Sequence, residues 1–190
     1  MYYGAYRNSR NASWQCLIDN KIKELPTDVI AIANNSNIRV IKNSNINRLE
    51  PNESGICLLV GSDYFIIYDD TQNRGRRRFT IAHELGHIFL GHLLIDLKGA
   101  RTFDTSRSQI EQEADVFASR LLAPACVLWG LGLKTPEQIS KVCEISYTAA
   151  KIRAERMELL YKRNKFLTSS LERKVFDNFK DFIDKNKVKD

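Results

Sequence analysis

Phe79-Thr80-Ile81-Ala82-His83-Glu84-Leu85-Gly86-His87-Ile88-Phe89-Leu90 is the stretch from which the rest of the chain is read. It holds the pattern H-E-x-x-H in an otherwise mostly apolar setting. On a helix, His83 and His87 stand one turn apart and present both imidazoles on one side. That spacing lets two nitrogens grip a single Zn2+ at about 2.0–2.1 Å each. Glu84 follows His83 by about 100° of helical rotation, so its carboxylate can face a water in the open coordination position. A helix apolar nearly all round is expected to be buried. Two histidines and a carboxylate buried there need partners, and a metal supplies them. The plain alternative is a pair of hydrogen-bonded core histidines beside a solvated Glu84.

The remaining composition is that of an ordinary globular protein. With 190 residues, 43% hydrophobic and 27% charged, the chain has enough material for one sizeable core, with or without a helical appendage. Residues 1–7 carry no apolar run, so no secretory signal is expected. The apolar stretch from Ile88 to Leu97 is interrupted by His92 and Asp96 and is too short to span a bilayer. Cys16, Cys57, Cys126 and Cys143 are scattered without a C-x-x-C pair, which reads as reduced core thiols and a cytoplasmic protein. The net charge of +6 includes a cluster of Arg74, Arg76, Arg77 and Arg78 ahead of the motif. A solvated loop explains it more simply than a rim for an acidic partner.

In chain order, apolar spacing predicts a helix over 12–25, a short second helix reaching Ala33, and a strand near 38–42. Residues 55–60 and 64–68 flank Gly61-Ser62-Asp63 as a hairpin. A loop over 69–75 feeds the motif helix, placed at about 76–94. Residues 95–107 have no periodicity and suit a cleft rim. A helix follows over 108–122, then a turn region over 125–133 around Trp129, Gly130 and Gly132. Thr135, Pro136 and Gln138 make a capping box with proline at the first helical position, starting a helix that reaches Cys143. Another helix runs from Ser146 to about Arg163. A terminal helix starts at a second possible box, Ser169 and Glu172.

A catalytic zinc needs three protein ligands and one open position. His92, the only other histidine, lies about 140° from His87 on a continuous helix, so it is expected to point elsewhere. The longer motif H-E-x-x-H-x-x-G-x-x-H fails at Leu90 and Leu93. The 108–122 helix offers Glu111, Glu113 and Asp115. Glu111 lies about 60° from the centre of its apolar face and Glu113 about 100° away on the other flank. Glu111 is therefore the better third ligand, and Asp115, one turn on, can accept the outer N–H of a bound imidazole. Ser108 and Glu111 also fit a capping box, an alternative use of the same carboxylate.

With H-E-L-G-H at 83–87, E-x-x-A-D at 111–115, F-A-x-x-L-L-x-P at 117–124 and R-F-T-I-A before the motif, the chain resembles the ImmA/IrrE family of metallopeptidases over roughly residues 25–160. The resemblance implies zinc on His83, His87 and Glu111, with Glu84 as general base. It also implies a cytosolic protein, often of a phage or mobile element, that cleaves a helix-turn-helix repressor. Residues 136–163 look like the family's helix-turn-helix-like segment, although Glu144 stands where a glycine is common in a DNA-reading turn.

The expected fold is α+β, a small sheet packed on a buried zinc helix with helices dominating the second half. Residues 1–134 form a zincin-like peptidase domain, 135–165 the helix-turn-helix-like segment and 166–190 a C-terminal helix. The expected activity is zinc-dependent peptide-bond hydrolysis on a protein partner, with neither direct DNA binding nor membrane association. The competing expectation is a non-proteolytic antirepressor or DNA-associated regulator in which zinc is structural.

Overall fold

Residues 6–97 and 105–188 are described by the computed structural model. The chain is α+β. Its three strands are β1 (Ile38–Lys42), β2 (Gly55–Val60) and β3 (Asp63–Tyr68), in spatial order β1-β3-β2. The hairpin pairs β2 with β3 antiparallel, Gly55 opposite Tyr68 and Val60 opposite Asp63. β1 instead runs parallel to β3, Ile38 opposite Tyr64. β3 is thereby central, and its Ile66 and Ile67 are buried, as is Ile38 on β1.

Contacts divide the chain into two compact units: Met1–Ala12 with Val29–Ala118, and Ser13–Asp28 with Ser119–Asp190. The first unit holds the sheet, α2 (Val29–Asn35), α3 (Arg74–Phe89), α4 (His92–Leu97) and most of α5 (Thr105–Leu122). α3 carries the H-E-x-x-H motif and packs on β2 and β3. Asn73 caps it by accepting from the Arg76 N–H at 2.9 Å. Arg74 therefore joins Arg76, Arg77 and Arg78 in the first turns of the helix instead of lying in the feeding loop, and Arg76 donates to Ser54 Oγ at 3.0 Å.

Two expectations about this region need correction. The motif helix does not continue to 94. It ends at Phe89, and Gly91, at φ +73°, turns the chain into α4. A left-handed residue cannot extend a right-handed helix, and glycine occupies that conformation without a Cβ penalty. Nor is α3 buried all round, because its first turns are open and Phe89 is 39% exposed. Of the proposed cleft rim at 95–107, residues 98–104 lie outside the described residues.

α1 (Arg7–Asp19) starts and stops earlier than apolar spacing suggested. Lys21 adopts φ 51°, the Lys21 N–H returns to Ile18 O, and the Ile22 N–H returns to Leu17 O, both at 2.9 Å. This is a Schellman closure, which shuts the helix before Ile22 and Leu25.

The second unit contains α6 (Ala125–Leu131), α7 (Pro136–Cys143), α8 (Tyr147–Lys162), α9 (Ser170–Asn178) and α10 (Lys180–Asn186). The expected turn at 125–133 is largely α6. Pro124 supplies the extended N-cap, Gly132 at φ 74° closes the helix, and Ala125 to Leu128 are buried. Gly130 belongs to the packing rather than to a turn, since a methyl there would stand 2.7 Å from the Phe176 ring. The Thr135–Gln138 capping box forms with both of its hydrogen bonds. The expected single terminal helix is two, α9 and α10, meeting at Phe179. By length and composition Gln109–Leu131 could cross a membrane, but it is interrupted at Pro124 and most of its apolar window is buried, as in a core helix.

Candidate metal centre

The site is built where α3 meets α5. They approach closely at Gly86, where a methyl group would stand 3.1 Å from Ala114 Cα and 3.2 Å from Phe117 Cβ. Ala114 and Phe117 are fully buried, and the Phe117 ring stacks on Phe89 at 5.9 Å. The absent side chain at 86 sets this spacing. It brings carboxylates on α5 within reach of imidazoles on α3.

His83 Nε2 and His87 Nε2 stand 3.0 Å apart. Glu111 Oε2 is 3.2 Å from the first, and its Oε1 is 3.7 Å from the second. Neighbouring ligands of a tetrahedral ion bound at about 2.0–2.1 Å are about 3.3 Å apart, so the three donors fit one small divalent cation. The chemistry fits as well. Two imidazole nitrogens and a carboxylate oxygen converging on one point are the kind of donor set that a small divalent cation binds. These three residues could hold a metal ion. α5 begins already at Thr105, which places Ser108 inside the helix rather than at its N-cap and removes the capping-box use of Glu111.

The outer nitrogens also have partners. His83 Nδ1 is 2.9 Å from Asp115 Oδ1, the contact expected from the one-turn spacing of Glu111 and Asp115. His87 Nδ1 is 3.0 Å from His92 Nδ1, and His92 Nε2 is 3.2 Å from Glu113 Oε2. The separation of about 140° from His87 expected from the sequence holds only on an unbroken helix. The turn at Gly91 brings the ring back against His87, where it is 5% exposed. A glycine immediately before the histidine was the signal available in the sequence.

Glu84 is buried, 7% exposed. Its carboxylate accepts hydrogen bonds from the Cys57 thiol and the Cys57 backbone N–H on β2. Cys57 is the other site residue that sequence reasoning missed, since nothing in its local pattern ties β2 to Glu84. Burial pushes the Glu84 pKa above the ordinary carboxylate value, against the opposing pull of His83 and the Cys57 hydrogen bonds. Burial likewise raises the Cys57 thiol, helped by the charge of Glu84 beside it. The two imidazoles separate. Burial alone would lower His83, but the Asp115 hydrogen bond and the charges of Glu84, Asp115 and Glu111 outweigh it, and the net shift is upward. His87 is driven down to about 3 by burial, then by the neighbouring charges of His83 and His92. It is therefore a neutral imidazole, ready to donate a lone pair.

A two-histidine, one-glutamate donor set with a buried carboxylate next to it in sequence is a metallopeptidase-like arrangement. A family model confirms the class: the IrrE N-terminal-like domain, Peptidase_M78, matches residues 34–155, and the chain belongs to that family. The matched span runs from just before β1 into α8 and includes every residue of the donor set. Among curated proteins none matches the chain. The family implies peptidase activity, and a peptidase acts on a protein substrate.

Proposed function

We propose that this protein is a cytoplasmic zinc endopeptidase whose substrate is a helix-turn-helix repressor of a phage or mobile element. The observation that supports it most is the three-donor set on α3 and α5 with Glu84 buried beside it, in a chain of a metallopeptidase family. His83, His87 and Glu111 would hold the zinc, and the coordination position left open would admit water and substrate. When bound, zinc supplies positive charge that polarises a scissile carbonyl and acidifies water. Glu84 accepts a proton from the water whose oxygen adds to the scissile carbonyl carbon, and passes it to the leaving nitrogen as the C–N bond breaks to give a carboxyl and an amine. The Cys57 N–H and thiol hold that carboxylate in place. Asp115 fixes the His83 ring and its tautomer by accepting from Nδ1.

In this reading residues 1–134 are the peptidase body, and the α7–α8 pair within 135–165 contacts the protein partner rather than DNA bases. Exposed Tyr147, Ile152 and Leu159 on α8 support a protein contact. So do the mixed charges of Arg156 and Glu155.

The test is Glu84→Gln, which keeps size and hydrogen bonding but removes the base. Purified wild type should carry about one zinc per chain, and zinc removal should lower its melting temperature. Incubated with a candidate repressor from an adjoining reading frame, wild type should cut it. E84Q should retain zinc and lose cleavage by about 10²–10⁴-fold. A repressor that stays full length with both proteins, while both relieve repression in cells, would establish the binding antirepressor instead.

A further inference from the structure

The contacts of His92 point to a use that ligand counting leaves out. It is buried at 5% exposure, and each ring nitrogen faces a single partner: Nδ1 meets His87 Nδ1 at 3.0 Å, and Nε2 meets Glu113 Oε2 at 3.2 Å. The His87 and His92 rings lie edge to face, at 71° and 5.0 Å between centroids. We infer that His92 and Glu113 are positioning residues for the metal centre, forming a carboxylate–imidazole–imidazole chain that fixes the tautomer and orientation of His87. This inference rests on the metal reading of His83, His87 and Glu111.

Proton placement carries it. His87 Nε2 belongs to the donor set, so a metal takes that lone pair and the ring's one proton must sit on Nδ1. That N–H has His92 Nδ1 as its acceptor, which must then be bare. His92 consequently carries its proton on Nε2, where the Glu113 carboxylate accepts it. With both rings neutral, one assignment satisfies both contacts, and it is the one that leaves His87 Nε2 free to bind. The reverse assignment, with the proton of His87 on Nε2, blocks the ligand atom and sets two bare Nδ1 atoms against each other or forces a second proton onto His92. A metal-ligating imidazole normally has an acceptor on its other nitrogen, and losing it typically costs about 10–100-fold in metal affinity or activity. His83 has a carboxylate directly in that place, Asp115. His87 has a neutral ring there, with Glu113 behind it to orient the ring. Glu113, the poorer ligand candidate on α5, thereby has a function of its own.

The experiment measures Zn2+ affinity by competition with a chromophoric chelator and records the visible spectrum of the Co2+-substituted protein. Melting curves of the metal-free proteins establish that each variant is folded. His92→Leu removes the acceptor and should weaken Zn2+ binding by about 10–100-fold and alter the Co2+ spectrum. His92→Asn places an amide oxygen near the position of Nδ1 and should recover most of the affinity. Glu113→Ala should give a smaller loss. The double variant H92L/E113A should be no weaker than H92L, because both changes cut one chain. If H92L does not fold, H92N and E113A decide the matter: E113A binding as tightly as wild type overturns the inference, and a loss that H92N does not share supports it. Folded H92L with wild-type affinity and spectrum likewise overturns it while leaving the three-ligand site standing. Wild type that takes up no zinc overturns the site reading and this inference with it.

Discussion

Gly86→Ala tests the interlock on which the donor set depends. The added methyl would stand 3.1 Å from Ala114 Cα and 3.2 Å from two atoms of Phe117. Relaxed carbon–carbon contacts lie at about 3.5–4.0 Å, so about 0.5 Å must be found between the helices. The nearest atom is main chain and cannot swing aside. Overpacking of this kind costs about 1–3 kcal/mol, and the better helix propensity of alanine returns about 1 kcal/mol. The net loss is about 0–2 kcal/mol, or at most roughly 8 °C in melting temperature at about 2–4 °C per kcal/mol for a chain of this size. The centre should suffer more. Ala114 adjoins Asp115 and lies within a turn of Glu111, so a shift of α5 carries both carboxylates away from the imidazoles. Metal–ligand distances tolerate only about 0.2 Å. Zinc affinity should therefore fall at least about tenfold, equivalent to about 1.4 kcal/mol. Metal-free melting curves beside chelator competition give both numbers. A variant that melts higher than wild type and binds zinc equally well would refute the claim that Gly86 sets the α3–α5 spacing.

Glu111→Ala should reduce zinc affinity far more than Glu113→Ala, with Asp115→Ala between them at about 10–100-fold; equal losses at 111 and 113 would overturn the ligand assignment. Cys57 is only partly buried, yet its thiol is raised by burial and by Glu84, so less thiolate is present at pH 8 than for a free cysteine of pKa about 8.5. Labelling with a disulfide reagent should be slow in wild type and faster in E84Q, which removes the neighbouring charge. One rapidly reacting thiol in wild type, unchanged by E84Q, would contradict that contact. Titration with the operator duplex of the proposed repressor substrate should show at most weak binding that collapses as salt rises. Tight, sequence-selective binding would assign DNA reading to α7 and α8.

Local patterns were legible in the sequence, and places where the chain changes direction were not. Runs such as Tyr64-Phe65-Ile66-Ile67-Tyr68 around a short turn mark strands unambiguously, and all three strands lie where alternation puts them. The parallel pairing of β1 with β3 leaves no such mark, because it depends on how a connection of mixed polar residues crosses the sheet. The capping box at Thr135 was equally plain, since two side chains at fixed spacing satisfy a helix end by themselves. Gly91 and Gly130 show the difficulty from opposite sides. The first lies in a stretch whose spacing predicts unbroken helix and is the break that turns His92 inward, whereas the second lies in a predicted turn and sits inside α6 against Phe176. Glycine has no fixed meaning until its neighbours in space are known. The flank of α5 on which Glu111 lies followed from rotation about one intact helix and needed no such knowledge.

Glu111 and Glu113 project from flanks of α5 about 160° apart on the helical wheel, and each meets a different part of the chain: Glu111 the imidazoles of α3, Glu113 the ring of His92. A slip of one residue, about 100°, would break both contacts at once, so the histidines add to the buried Ala114 and Phe117 in fixing the rotation of α5, whether or not any peptide is cut. On the proposed mechanism, loss of Glu84 alone would end hydrolysis and leave those contacts untouched. Descendants of such a chain could abandon catalysis and still keep both histidines of the motif for the sake of the fold.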